Sequence, residues 1–235
     1  PAIAGVDTRK LTRILRTKGA QAGCIMTGHI DETEALRQAQ AFPGLTGMDL
    51  ARVVSCSQPW EFSEGAWSPE TGYQAAGESR CRVAVLDFGV KRAILRKLVE
   101  HGCHVTVYPA QTRIDEILAA RPDGVLLSNG PGDPEACDYA IDMARALLAS
   151  KIPVFGICLG HQIIALAIGA RTIKMKFGHH GANHPVLDVD SGRVMITSQN
   201  HGFGVVRSSI ESFESEVQAS HINLNDHSVE GLKWL

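Results

Sequence analysis

Hydrophobic positions along this chain follow two regimes. From residue 81 to about 168, short continuous apolar runs alternate with stretches in which apolar residues recur every three or four positions. The runs at 83–86, 104–108, 124–127 and 153–157 predict strands buried on both faces. The stretches 91–100, 114–120, 139–149 and 159–168 predict amphipathic helices, with Ile94, Leu95 and Leu98 forming the inward stripe of the first. This alternation predicts an α/β fold, a mostly parallel sheet flanked by helices. Ligands in such sheets bind where the carboxyl ends of the strands open into loops.

The flanks read differently. Asp7 or Thr8 suits the start of a helix to about residue 18, with Leu11, Ile14 and Leu15 as its stripe and Gly19 just past its end. A short strand is expected at 24–26. Asp31 and Glu34 have capping-box spacing for a second helix to about residue 40, closed by Phe42-Pro43-Gly44. From 56 to 79 periodicity is lost among Ser, Pro, Gly and Glu, yet Trp60, Phe62 and Trp67 lie there, which suggests a linker packed on something. The expected organisation is a partial, smaller α/β amino-terminal domain over 1–55, a linker over 56–80 and the main domain over 81–235. Beyond residue 172 helical patterns thin out, and 194–197 and 216–221 read as later strands. There is no internal repeat.

Composition narrows the class. The chain has 235 residues, 44% hydrophobic and 20% charged, as in ordinary globular proteins. A formal charge of −2 provides no general attraction to nucleic acid or anionic membrane. No apolar run approaches the length of a membrane span. The six cysteines, at 24, 56, 81, 103, 137 and 158, show no Cys-x-x-Cys spacing and read as reduced thiols of a cytoplasmic protein. The chain opens Pro1-Ala2-Ile3-Ala4-Gly5 with no secretory pattern and no Met, as an internal piece of a longer protein does. Five positive charges (Arg9, Lys10, Arg13, Arg16, Lys18) line the first helix. Without an aromatic stacking platform they form a solvated or docking face, not a nucleic-acid site.

Three polar, Gly-rich loops follow predicted strand ends: Asp87-Phe88-Gly89, Ser128-Asn129-Gly130-Pro131-Gly132-Asp133-Pro134, and the turn Gly156-Ile157-Cys158-Leu159-Gly160. In the last, a cysteine sits between a strand and a helix. Gly156 and Gly160 let those elements approach without Cβ clashes. The helix directs free N–H groups and its positive dipole end at the thiol, both of which favour the thiolate. Acyl transfer also needs donors for a developing oxyanion. The N–H of Leu159 is one candidate, and Gly130 or Gly132 could supply a second, whereas Pro131 has no N–H. The turn alone does not separate amidases from esterases or thioesterases.

None of the ten histidines stands out as a base. His161, three residues after Cys158, is expected to point away from the sulfur, and His101 and His104 to lie at the surface. His179, His180 and His184 lack a Cys or carboxylate at ligand spacing, so no metal site is expected. His184-Pro185 is followed by Val186, and His201 is expected to line a pocket.

The Cys158 turn, extended as Gly156-Ile157-Cys158-Leu159-Gly160-His161-Gln162, together with the 128–134 loop resembles the class I (triad-type) glutamine amidotransferases. Three further stretches narrow the resemblance to the small subunits of carbamoyl-phosphate synthetases: Asp7-Thr8-Arg9-Lys10-Leu11-Thr12-Arg13, Lys174-Met175-Lys176-Phe177-Gly178-His179-His180-Gly181, and Asn200-His201-Gly202-Phe203. The resemblance covers nearly the whole chain and is weakest over 56–80 and 205–235.

That resemblance implies a cysteine that attacks the side-chain amide of L-glutamine and forms a thioester as ammonia leaves. It casts Cys158 as nucleophile, the N–H groups of Leu159 and Gly130 as oxyanion hole, and Gly132, Gln162, Asn200, Gly202 and Phe203 as further glutamine-binding residues. It implies a large synthetase subunit, docked in part by the amino-terminal domain, that binds ATP, metal and bicarbonate and serves arginine or pyrimidine synthesis. This chain carries no Gly-x-x-x-x-Gly-Lys-Ser/Thr run, and no cofactor of its own is expected. Other readings are a glutaminase domain serving a different synthetase, or a non-catalytic partner-binding module. The family completes its triad with a His-Pro-Glu segment near the carboxyl end, and a serine before Pro1 would also contact glutamine. Neither matches a segment between Pro1 and Leu235, so this piece is expected to have low activity alone.

Overall fold

The computed structural model describes residues 3–213 and 215–235. Four strands form its parallel core: β4 (Cys81–Asp87), β5 (Cys103–Pro109), β6 (Gly124–Leu127) and β7 (Val154–Gly156). They are connected through α4 (Arg92–Glu100), α5 (Ile114–Ala119) and α6 (Asp138–Ala149), and α7 (Leu159–Ala167) follows β7. The pattern-based boundaries agree to within two residues. Alternate residues of one strand serve opposite faces of the sheet. Ala84, Leu86, Val125 and Leu127 pack with Ile117, Met143, Leu147 and Ile163 from α5, α6 and α7. Val85 and Leu126 pack on the other face with Leu95 and Val99, the buried pair of α4. Ile94 and Leu98 of the expected stripe are partly buried against the same cluster.

Three expectations change on the flanks. Residues 24–26 form no strand, because no neighbouring chain pairs with them and an unpartnered strand leaves its hydrogen bonds unmade. The segment expected as a linker contains β1 (Trp60–Phe62), β2 (Glu64–Ser68) and β3 (Gly72–Ala75). β1 adds antiparallel to the edge of the sheet beside β5, giving the order β1-β5-β4-β6-β7. It places Phe62 in the α4-side core. The β2-β3 hairpin is held to α4 by Arg96, which bonds Glu64 and lies 4.2 Å above the Tyr73 ring. Strands of three to five residues are too short to display a period.

The third change lies beyond α7. A 17-residue strand, β8 (Thr172–Asp188), precedes β9 (Val194–Val205), β10 (Val217–Asn223) and β11 (Val229–Trp234). These four close an antiparallel ring in the order β10-β11-β9-β8. Its core is small, with Val205, Ile210, Ile222 and Val229 packed on Ala165 of α7 and on Ala170.

The two expected amino-terminal helices form, as α1 (Thr8–Lys18) and α2 (Glu32–Ala41). Asp7 caps α1 by accepting from Lys10 N–H. Asp31 caps α2, but Glu34 turns outward to Arg37 and Gln38, so the expected box is half made. Further on, α3 (Ala51–Val54) places Ala51 fully inside the core beside Leu86 and Phe88. No helix among the described residues is long and apolar enough to cross a membrane.

Candidate active site

The three Gly-rich loops converge at the carboxyl rim of the sheet, stitched by their own side chains. Asp87 accepts from the N–H groups of Gly89 and Val90 with one oxygen and from Cys56 N–H with the other. Ser128 Oγ accepts from Phe88 N–H, and Asn129 bridges Lys91 N–H and the Gly89 carbonyl. Asp133 accepts from the N–H groups of Gly47 and Glu135, pinning the amino-terminal segment to the same rim.

Cys158 stands at the amino-terminal end of α7 with φ 53° and ψ −106°. A non-glycine residue rarely adopts this backbone, and such an outlier costs on the order of 1–3 kcal/mol. The surroundings enforce it. A Cβ on Gly160 would lie 2.1 Å from the Leu127 carbonyl oxygen, and one on Gly156 2.6 Å from the Gly160 carbonyl carbon. Helix and strand therefore meet at a distance that only glycine permits. A Cβ on Gly130 would lie 2.2 Å from the Phe88 carbonyl oxygen, so the facing loop is equally close.

Burial pushes the Cys158 thiol above its ordinary pKa. The N–H of Leu159, the charge of Lys91 and the N–H of Gly130 pull it down, while Glu230 adds to the rise. The N–H groups favour the thiolate as expected, but desolvation outweighs them. The net direction is set by burial, which favours the uncharged thiol.

Cys158 opens into a cleft of about 950 Å³. Gly130, Gln162, Asn200 and Phe203 line it with the cysteine. Leu159, Gly132 and Gly202 are not among its lining residues. Leu159 instead buries its side chain and offers its N–H, and Gly132, at φ 100°, packs against the Met48 carbonyl. Gln162 is buried and donates its amide to the Phe203 carbonyl at 2.7 Å, which fixes the β9 backbone against α7. Asn200 Oδ1 lies 2.9 Å from His180 Nδ1.

His161, expected to point away from the sulfur, lines the same cleft. Three residues turn a helix by about 300°, which returns the side chain to nearly the same face. Burial holds its pKa down at about 4, so at neutral pH its ring is uncharged. His101 and His104 are exposed, as expected. His201 lines the cleft from β9 and bonds the Phe203 carbonyl through Nδ1 at 2.8 Å.

Sequence reasoning missed Lys91 and Glu230, both on the cleft wall. Lys91 had a signal, since it lies two residues beyond the Asp87–Gly89 loop. Glu230 had none, because it reaches the site only through closure of the ring. Burial alone would raise its pKa, but His201, Asn223 and His179 outweigh burial and hold it at about 2. Burial lowers His201, and the facing Glu230 carboxylate and Phe203 carbonyl reverse that into a net rise.

Similarity to known proteins extends over almost the whole chain. Carbamoyl phosphate synthase small chains from Thioalkalivibrio sulfidiphilus and Vibrio cholerae are 58% and 57% identical to it, each over 98% of its length. The chain covers 60% and 61% of those two relatives. Among solved structures, a candidate GMP synthase protein from Thermoplasma acidophilum matches with a TM-score of 0.54 at 21% identity, over 65% of this chain and 77% of that one. A glutamine amidotransferase from Thermotoga maritima matches with a TM-score of 0.50 at 16% identity, over 65% and 71%. At such identities these two speak for the fold alone. The profile described as "Glutamine amidotransferase class-I" matches residues 84–234, more than half of the chain, and the strained cysteine turn lies inside that span. The chain belongs to the class-I glutamine amidotransferase family.

Proposed function

We propose that this chain carries the glutamine-hydrolysing centre of a carbamoyl-phosphate synthase small subunit. Cys158 Sγ attacks the side-chain amide carbon of L-glutamine, and the oxygen takes up negative charge between the N–H groups of Leu159 and Gly130. Collapse of that intermediate breaks the C–N bond, and the amide nitrogen leaves with a proton as ammonia. Water then cleaves the thioester, releasing glutamate and restoring the thiol. Gly132, Gln162, Asn200, Gly202 and Phe203 form the surroundings of the substrate, with Gln162 acting through the Phe203 backbone. The observation that carries this reading is the cysteine's forced backbone, held between a strand and a helix that meet at glycine-only distance.

The ammonia passes to a large synthetase subunit that binds ATP and bicarbonate in the cytoplasm. Residues 1–55, with the basic face of α1, contribute to docking that subunit. Ammonia release from glutamine tests the chemistry, in the chain and in a version extended to the length of its relatives. The extended protein is expected to turn over glutamine and its Cys158→Ser variant to lose at least about 10³-fold in rate. Turnover retained by that variant would remove Cys158 from the nucleophile role.

A further inference from the structure

The ring of β8–β11 buries a second group of polar side chains that the hydrolytic reading does not use as such. His179 and His201 are cross-strand partners on β8 and β9. A register shift between Lys174 and His179 bulges β8 just before the pair. Gly178 occupies that bulge with φ 73°, and a Cβ there would lie 2.5 Å from the His201 carbonyl oxygen. The two rings stand edge to face, with centroids 4.9 Å apart. Glu230 enters from β11, its side chain 8% exposed, like that of His179.

The hydrogen bonds decide which ring nitrogens carry protons. His201 Nδ1 faces the Phe203 carbonyl at 2.8 Å, and a carbonyl can only accept. Nδ1 is therefore the N–H, which leaves Nε2 to carry the lone pair of the neutral ring. That Nε2 is buried, makes no aligned hydrogen bond and lies 3.4 Å from Glu230 Oε2. His179 repeats the pattern: Nε2 faces Asp226 Oδ2 at 2.9 Å, and Nδ1 lies 3.0 Å from Glu230 Oε1. The Asn223 amide nitrogen, 3.4 Å from Nδ1, faces that atom as a donor faces a lone pair. Asn223 and Ser228 also donate to Glu230 Oε1, fixing the carboxylate between the rings.

Two ring lone pairs and one carboxylate thus converge, with their ligand atoms all within 4.8 Å of one another. Such a set repels itself unless positive charge lies among its members. Two protons can supply it, making imidazolium rings, and so can one dication. The outer contacts favour the dication. Each histidine donates its remote N–H to a carboxylate or backbone carbonyl, the arrangement that orients metal-binding imidazoles. Ligands about 2.1 Å from a tetrahedral ion lie about 3.4 Å apart, close to the two carboxylate–imidazole spacings of 3.0 and 3.4 Å. Two nitrogens and one carboxylate suit a zinc-class ion, whereas magnesium and calcium prefer oxygen alone. Glu230 and His201 also line the Cys158 cleft, so a fourth position can open to solvent.

We propose that His179, His201 and Glu230 bind a divalent transition-metal ion of the zinc class, with Asp226 and the Phe203 carbonyl orienting the two imidazoles. Sequence spacing hid this set because its carboxylate lies 51 residues beyond His179 (230 − 179).

The test is titration of metal-free protein with Co2+, followed by the visible absorption of the bound ion. One ion per chain is expected, with the low-symmetry spectrum of four- or five-coordinate cobalt and displacement by Zn2+ but not Mg2+. His179→Ala and Glu230→Gln should abolish that spectrum. Asp226→Asn leaves all three ligands in place and should weaken binding about 10- to 100-fold, while His180→Ala should leave it unchanged. Circular dichroism checks that each variant is folded, and the Asp226→Asn result stands even if a ligand variant fails to fold. Absence of a Co2+ spectrum in the parent protein would overturn the proposal in favour of an imidazolium–carboxylate network. A spectrum lost in His180→Ala, or unaffected by Asp226→Asn, would overturn it in favour of surface histidines. None of these readouts depends on glutamine hydrolysis, so the metal site and the hydrolytic reading can fail separately.

Discussion

The parallel sheet and the antiparallel ring meet on α7, and they hold together by different means. In the sheet half, Val85, Leu86, Leu95, Ile117, Leu127, Leu147 and Ile163 are all fully buried. In the ring, Ile173, Val194 and Ile196 are more than half exposed, and the interior admits His179, Asn223 and Glu230. One half is a close-packed apolar body that can force a cysteine into a strained turn. The other is a thin apolar layer with a hydrogen-bonded polar interior. Cys158 comes from the close-packed half, and most of the titratable groups around it come from the polar half.

Four tests bear on that contrast. The largest effect is expected from Gly160→Ala, whose new Cβ would meet the Leu127 backbone with nowhere to move. A loss above about 4 kcal/mol, or no soluble protein, should appear in urea unfolding. If the variant is stable, the tight seat of the Cys158 turn is wrong.

Next is pH. The folded pKa of His161, about 4, lies below its ordinary 6.5. The unfolded chain therefore takes up a proton first as pH falls. The stability linked to His161 is full above pH 6.5 and is lost as pH falls toward 4. The fall from 6.5 to about 4 corresponds to about 3 kcal/mol. His161→Leu should flatten that part of the curve. In metal-free protein Glu230 acts in a lower window, its contribution present above its ordinary 4.5 and lost as pH falls through about 2. His201, with a raised pKa, works the other way: its contribution is complete below 6.5 and fades as pH rises through the folded value.

A matched pair sharpens the comparison further. Ile163→Ala, in the sheet half, should cost about 4 kcal/mol, and Ile222→Ala, in the ring, about 2. Equal losses would mean that the ring is packed as tightly as the sheet. The smallest effect is expected at the rim: Glu64→Gln breaks the partly exposed pair with Arg96 and should cost less than about 1 kcal/mol in the same assay.

The two halves also differ in how readable they are. β4, β6, α6 and α7 follow from apolar runs and periods because each buries a continuous face, and the Cys158 turn is readable because its glycines are local. β8 is not, since only two of its 17 residues are buried and two register shifts break it. Nor is β1, since three residues show no period and its partner lies more than 40 residues away. Glu230 becomes visible only when ring closure carries β11 beside β9.

That closure rests on little. β11 pairs with β9 at one position, Val229 against Val205, and the residue after Val229 is Glu230. Amide exchange should therefore be fastest at this seam within the ring, ahead of the long β8–β9 ladder. Each opening draws a carboxylate away from two imidazoles. The ring behaves as a clasp whose fastening is electrostatic: whatever charge sits between His179 and His201 sets how long it stays shut.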